Sequence, residues 1–232
     1  MQPNAASLQE RLNLDFSLLL GEETQLTGCG RTDAGVHARV FYAHLDTSRE
    51  DLARDADFLF HINGKLPPDI AVHEILQVGS NAHARFDAVS RTYQYHIARE
   101  KEVFHREFSH YVYGDLDTDS MIRGTEILKE YTDFTSFSKV DTDVKTHDCR
   151  IMEARWDSVP GTLVFTVTAD RFLRNMVRAM VGTLLDLGFR NIGLPELRQI
   201  IESRDRSKAG ASVPARGLFL TRVQYPPEVF SK

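Results

Sequence analysis

The chain has 232 residues, of which 42% are hydrophobic and 26% charged, and a net charge of −5. That length allows a substantial core in one large domain or two small ones, and the composition is that of an ordinary globular protein, not a disordered, fibrous or disulfide-dense one. No apolar run approaches the roughly 18 residues of a membrane helix. The start, Met1-Gln-Pro-Asn, lacks the basic and apolar stretches of a secretion signal. The two cysteines, Cys29 and Cys149, match no metal spacing, so free thiols in a reducing cytoplasm are expected.

In chain order, Ser7 reads as the N-cap of a helix through about Leu20, with Leu8, Leu12, Phe16 and Leu19 on one face. Gln25 to Gly28 reads as a short strand and Val40 to Asp46 as another, with Phe41, Ala43 and Leu45 alternating. Glu50 to Ile62 is expected to be helical, Asn63 to Asp69 a loop by its turn chemistry, and Ile70 to Val78 a strand. Arg85 to Arg99 has the pattern of a long strand, and Asp119 to Tyr131 that of a helix. Lys139 to Arg150 is polar and is expected to be a mobile loop. Ile151 to Ser158 and Leu163 to Thr168 should pair as a hairpin around Pro160-Gly161. Arg171 to Gly188 gives the strongest helical pattern, followed by a shorter helix from Leu194 to Ser203 with Pro195 in its first turn. Leu218 to Tyr225 closes the chain as a strand. Strands in hairpins with helices grouped between them predict an α+β fold with a mainly antiparallel sheet flanked by helices.

The net charge hides an asymmetry. Residues 1–170 carry 17 Lys and Arg against 28 Asp and Glu, whereas residues 171–222 carry 10 against 4, and nine of those ten are Arg. A local basic surface can bind nucleic acid on an acidic protein, because counterion release depends on the charges at the contact. A solvated helical face would give the same count.

Three segments concentrate chemistry. The first is Gly28-Cys-Gly-Arg-Thr-Asp-Ala-Gly-Val-His-Ala38. It is too polar and too rich in glycine to build a core. It resembles a phosphate loop only weakly, since no Gly-x-Gly-x-x-Gly spacing and no Gly-Lys-Ser/Thr is present. A metal site from Asp33, His37 and His44 has no recognisable ligand spacing. A single catalytic carboxylate, Asp33, in an Arg-bearing loop is the third reading, with Arg31 on a phosphate. His37 is expected to be structural, bonding the loop backbone. The second segment, Ser90-Arg-Thr-Tyr-Gln-Tyr95, puts Tyr93 and Tyr95 on one strand face, either as ordinary sheet packing or as a stacking platform for a base. The third, Arg171 to Arg178, spaces Arg171, Arg174 and Arg178 at three and four residues, one face of a helix. One of these Arg could pair with Asp33 and favour its charged form.

These segments, in this order, resemble the TruA family of tRNA pseudouridine synthases. Gly30-Arg-Thr-Asp-Ala-Gly-Val-His37 is similar to the family's catalytic motif nearly letter for letter. His83-Ala-Arg-Phe86 with Arg91-Thr-Tyr-Gln-Tyr95 resembles the second motif, and Phe172 to Arg178, continuing to Gly182, the third. Phe134-Thr-Ser-Phe137 and Ala215 to Leu220 extend the similarity over essentially the whole chain.

The resemblance implies that Asp33 is the catalytic nucleophile, Arg178 its ion-pair partner and Tyr93 the uracil-contacting residue. It implies that Arg31 helps to expel the target nucleotide or contacts phosphate, and it assigns no role to Arg174. It further implies a cytoplasmic homodimer that isomerises uridine to pseudouridine in the anticodon arm of tRNA, with no cofactor and no metal. The family fold is two related α+β halves sharing one sheet. Here this corresponds to residues 1–83, carrying the Asp loop, and 84–232, carrying the Tyr and Arg motifs. Family members begin with a strand bearing Tyr-Asp-Gly and Gly-Trp-Gln, just before a segment like Gln2-Pro-Asn-Ala5. That first strand is expected to be absent here. The alternative reading is therefore a truncated, impaired or non-catalytic tRNA-binding relative.

Overall fold

A computed structural model of the chain describes residues 7–139 and 145–230. In chain order its principal elements are α1 (Leu8–Leu20), β1 (Thr27–Gly28), β2 (His37–Ala38), β3 (Ala43–His44), α2 (Ala56–Lys65), β4 (Ser90–Ala98), β5 (His110–Tyr111) and α3 (Thr118–Leu128). They continue with β6 (Ile151–Val159), β7 (Thr162–Ala169), α4 (Met176–Gly188), α5 (Leu194–Glu202) and β8 (Leu218–Gln224). Two compact units divide the chain: residues 1–30, 42–88 and 225–232 form one, residues 31–41 and 89–224 the other. The segment bearing Asp33 thus packs with the second unit, although the sequence places it in the N-terminal half.

In the first unit, α1 starts at Ser7 because the cap is reciprocal. The Glu10 N–H donates to Ser7 Oγ at 3.2 Å, and the Ser7 N–H donates to Glu10 Oε2 at 2.9 Å. It ends at Gly21, whose φ of 72° is left-handed. Asp55 caps α2 by accepting from the Phe58 N–H at 2.8 Å. Phe16, Leu26, Leu52, Phe58, Ile62 and Leu66 form the core of this unit. Leu8, expected on the apolar face of α1, is instead exposed.

Two expectations fail here for one reason. Residues 63–65 continue α2 rather than starting a loop, and residues 70–78 pair with no strand. The Asn63 side chain, at the end of α2, donates to the Leu59 and Val72 carbonyls at 3.0 and 2.8 Å and accepts from the Val72 N–H at 2.8 Å. It satisfies the extended segment's backbone in place of a neighbouring strand. Of the strand expected over residues 40–46, only β3 forms, pairing antiparallel with β1.

The second unit is α+β. Its six-stranded sheet has the order β2-β8-β4-β7-β6, with β5 beside β4. The β2–β8 and β4–β5 pairs are parallel and the rest antiparallel, so the sheet is mostly antiparallel. The β6–β7 hairpin turns at Pro160-Gly161, where Gly161 supplies a φ of 71°. Tyr95, Phe134, Phe137, Phe165, Met180 and Leu184 are among the fully buried side chains between sheet and helices. Helix α4 is buried along almost its whole length, Arg178 and Asp186 excepted. It starts at Met176 and not at residue 171, because Asn175 is left-handed with a φ of 67°. Arg171 and Arg174 therefore precede the helix and do not share a helical face with Arg178. Residues 140–144 of the expected mobile loop lie outside the described residues.

Candidate active site

The Asp33 loop turns on a glycine. The Val36 N–H donates to the Asp33 carbonyl at 3.1 Å, closing a four-residue turn in which Gly35 has a φ of 82°. A side chain there would be strained, and its Cβ would lie 3.4 Å from the Ala215 methyl. Just beyond the turn, β2 docks parallel on β8, with His37 opposite Phe219. One end of the loop is thereby fixed to the sheet, and Asp33 is left only 24% exposed.

The carboxylate meets two guanidinium groups. Arg178 Nη1 donates to Asp33 Oδ2 at 3.0 Å, and Arg174 Nε lies 3.7 Å from Oδ1. Arg178 is itself held, because its Nε donates to the Val213 carbonyl at 2.7 Å. The Val213 N–H returns a bond to the Arg178 carbonyl at 3.2 Å. Next to it, Pro214 gives its carbonyl to the Tyr95 hydroxyl at 2.8 Å. Burial pushes the Tyr95 phenol well above its usual range, so this tyrosine donates and does not ionise. Arg174 is the looser partner, 47% exposed against 20% for Arg178.

The segment 209–213 seats this arrangement on α4. The Gly210 N–H donates to Thr183 Oγ1 at 2.9 Å. Arg206 donates to the Ala209 and Gly210 carbonyls and to Ser212 Oγ, and the Asn175 amide reaches the same Ser212 hydroxyl. The approach is close enough that a Cβ on Gly182 would lie 1.8 Å from the Ala211 carbonyl oxygen. Sequence reasoning found Gly182 in the third motif without a reason for it; contact with the Ala211 backbone is that reason. It missed Val213 altogether, since a residue acting through its carbonyl leaves no side-chain signal.

The remaining expected residues are placed as follows. Tyr93 lies on β4 with its ring edge-on to Phe172, centroids 5.1 Å apart, in the segment that leads through Arg174 into α4. Arg31 is exposed, two residues before Asp33. His37 does not bond its own loop. Its Nε2 donates to the carbonyl of Glu107 at 3.2 Å, and its ring lies 4.8 Å from Phe219 and 5.0 Å from Phe108. His44 accepts at Nδ1 from the Ala84 N–H, so it and His37 serve different segments. The basic excess also divides. Arg190 pairs with Asp115, Arg198 with Glu130 and Arg204 with Asp133, so these three form surface ion pairs. Arg174 and Arg178 are the members of the set that turn to Asp33. Cys149 is a buried thiol whose pKa is pushed up to about 12, and Cys29 is also buried and unbridged.

The chain's sequence is similar to proteins of a known family. A family model described as tRNA pseudouridine synthase matches residues 131–226. The chain is 48% identical to tRNA pseudouridine synthase A of Bacteroides thetaiotaomicron, over 100% of this chain and 87% of that protein. It is 46% identical to the enzyme of the same name from Porphyromonas gingivalis, over 99% and 92%. To that of Clostridium acetobutylicum it is 37% identical, over 97% and 92%. The chain belongs to the tRNA pseudouridine synthase family.

Proposed function

We propose that this chain isomerises uridine to pseudouridine in the anticodon stem-loop of tRNA, with Asp33 as the nucleophile. The observation that carries the reading is the Asp33–Arg178 pair, 3.0 Å apart and backed by the Val213 carbonyl, within a chain nearly half identical to proteins named for this reaction. The reaction breaks the C1′–N1 bond, rotates the uracil, joins C5 to C1′, and moves the proton from C5 to N1. A target nucleotide in a stem must first leave the stack, at a cost of a few kcal/mol.

Asp33 supplies the charged oxygen, and Arg178 fixes its position before substrate arrives, so little reorganisation is needed during reaction. Tyr93 contacts the uracil, and exposed Arg31 contacts the phosphate or takes the place of the departing nucleotide. The enzyme acts as a cytoplasmic homodimer. Release of tritium from C5-labelled uridine in an anticodon-arm RNA tests the reading. Binding of that RNA without release would favour the non-catalytic tRNA-binding alternative.

A further inference from the structure

The second motif extends beyond Tyr93, and its first part, His83-Ala-Arg-Phe86, has no place in the chemistry above. It forms a tight surface turn in the first unit. The Asp87 N–H donates to the His83 carbonyl at 3.0 Å, and the His83 N–H donates to Asp87 Oδ2 at 2.7 Å. Inside the turn His83 Nδ1 accepts from the N–H groups of Arg85 and Phe86 at 3.1 and 3.3 Å. From outside, His44 Nδ1 accepts from the Ala84 N–H at 3.1 Å. The two imidazole rings lie 4.6 Å apart. Four successive residues are thus fixed by side chains, and the turn is pre-organised.

What this rigid turn displays is an aromatic ring. Phe86 is 74% exposed, although turn positions normally carry polar residues. The His83 ring lies 4.2 Å from that of Phe86 at an interplanar angle of 33°, and the Arg85 guanidinium carbon is 5.7 Å from the Phe86 centroid. A ring that stays 74% exposed with a cation close by, held by hydrogen bonds that do not involve the ring itself, meets the physical requirements for stacking an unpaired base. The base gains π-contact on the ring, and the cation attracts the adjoining phosphate.

We propose that Phe86, with Arg85 beside it, is a stacking platform for an unpaired nucleobase of the RNA substrate. Arg85 supplies the phosphate contact, and His83 and His44 keep the turn rigid. The proposal rests on the reading of the chain as a tRNA-modifying enzyme and adds a contact that this reading does not supply.

The test uses the full chain and measures the Kd for an anticodon-arm stem-loop and for a blunt RNA duplex of equal length. Phe86→Ala should weaken stem-loop binding roughly five- to tenfold, the lower range for a lost base stack. It should change duplex binding less than twofold and leave the melting temperature unaltered. Phe86→Trp should restore binding and Phe86→Leu should not, because leucine is apolar but has no π-face. Equal weakening for stem-loop and duplex, full rescue by leucine, or unchanged stem-loop affinity in Phe86→Ala would each overturn the platform. So would a drop in the mass of the free protein in Phe86→Ala, which would assign the ring to contact between copies of the chain. Wild-type protein that releases no tritium from labelled RNA would instead count against the enzyme reading, so the two failures are separable.

Discussion

Arg178 and Val213 are bonded twice. The arginine Nε donates to the valine carbonyl at 2.7 Å, and the valine N–H donates to the arginine carbonyl at 3.2 Å. One edge of the guanidinium is spent on backbone, and the other is left for Asp33 Oδ2 at 3.0 Å. An arginine anchored in this way cannot follow a moving carboxylate, so the carboxylate is held where the arginine is. Lysine at position 178 has one donor atom in place of the arginine's rigid fork, so it cannot hold Val213 and Asp33 in this geometry. Arg178→Lys is expected to lower kcat at least about tenfold with little change in the melting temperature, as steady-state tritium release and a thermal melt would show.

Asp33→Asn keeps the size and most of the hydrogen bonding of the side chain but removes its charge. Turnover is expected to fall by roughly 10³ or more while tRNA affinity stays within a few-fold, as the proposed role of the side chain in bond-making rather than in holding RNA requires. Substantial pseudouridine in the product, read by mass-resolved nucleoside analysis, would remove Asp33 from the chemistry.

The Arg174 side chain is about half exposed, with its Nε 3.7 Å from Asp33 Oδ1. An exposed pair of this kind contributes about 0–1 kcal/mol to stability. Its value would lie in being free to reach RNA phosphate. Arg174→Met should leave the urea midpoint unchanged and reduce the slope of log Kd against log salt by about one unit. An unchanged slope would confine Arg174 to the neighbourhood of Asp33.

Gly182→Ala sets two effects against each other. Alanine is the better helix former by up to about 1 kcal/mol. Its Cβ, however, would stand 1.8 Å from the backbone oxygen of Ala211, which cannot rotate away. Overpacking of this kind costs about 1–3 kcal/mol or more, so the variant is expected to be less stable in chemical denaturation. Because residues 209–213 carry Val213, the same change should lower kcat beyond the loss of folded protein. Gly182→Ser should behave alike.

His96 and His110 each have a buried ring nitrogen without a hydrogen-bond partner among the described residues. Burial, and then the charge of Arg39 for His96 and of Arg216 for His110, holds both below the ordinary imidazole value of 6.5. The unfolded chain then binds more protons than the folded one, so stability rises with pH across that range. The contribution is complete above about 6.5 and is lost as pH falls through the lower folded values. Urea midpoints at about pH 7.5 and about pH 5.5 should differ in that direction, and His96→Leu should narrow the gap.

Local signals in the sequence carry over well where an element's bounds depend on its own residues. Ser7 and Glu10 start α1, Gly21 ends it, and Pro160-Gly161 turns the hairpin, since caps and turns are settled within a few bonds. Local signals mislead where a distant partner decides. Residues 171–175 have helical spacing, yet Asn175 takes a left-handed φ and its amide reaches Ser212. Residues 70–78 have strand spacing, yet Asn63 takes up the Val72 backbone.

The sequence alone identified Asp33 as the carboxylate of interest, named Arg178 among three candidates through the family resemblance, and indicated a mainly antiparallel α+β fold. Residue identity and short spacing carry that much. Only the tertiary structure decided that Val213 anchors Arg178, that Arg174 stands beside the same carboxylate, that His37 bonds Glu107, and that Arg190, Arg198 and Arg204 serve ion pairs elsewhere. Each of these contacts joins residues far apart in the chain, or runs through a backbone carbonyl that every residue type possesses. No local pattern of side chains could have encoded them.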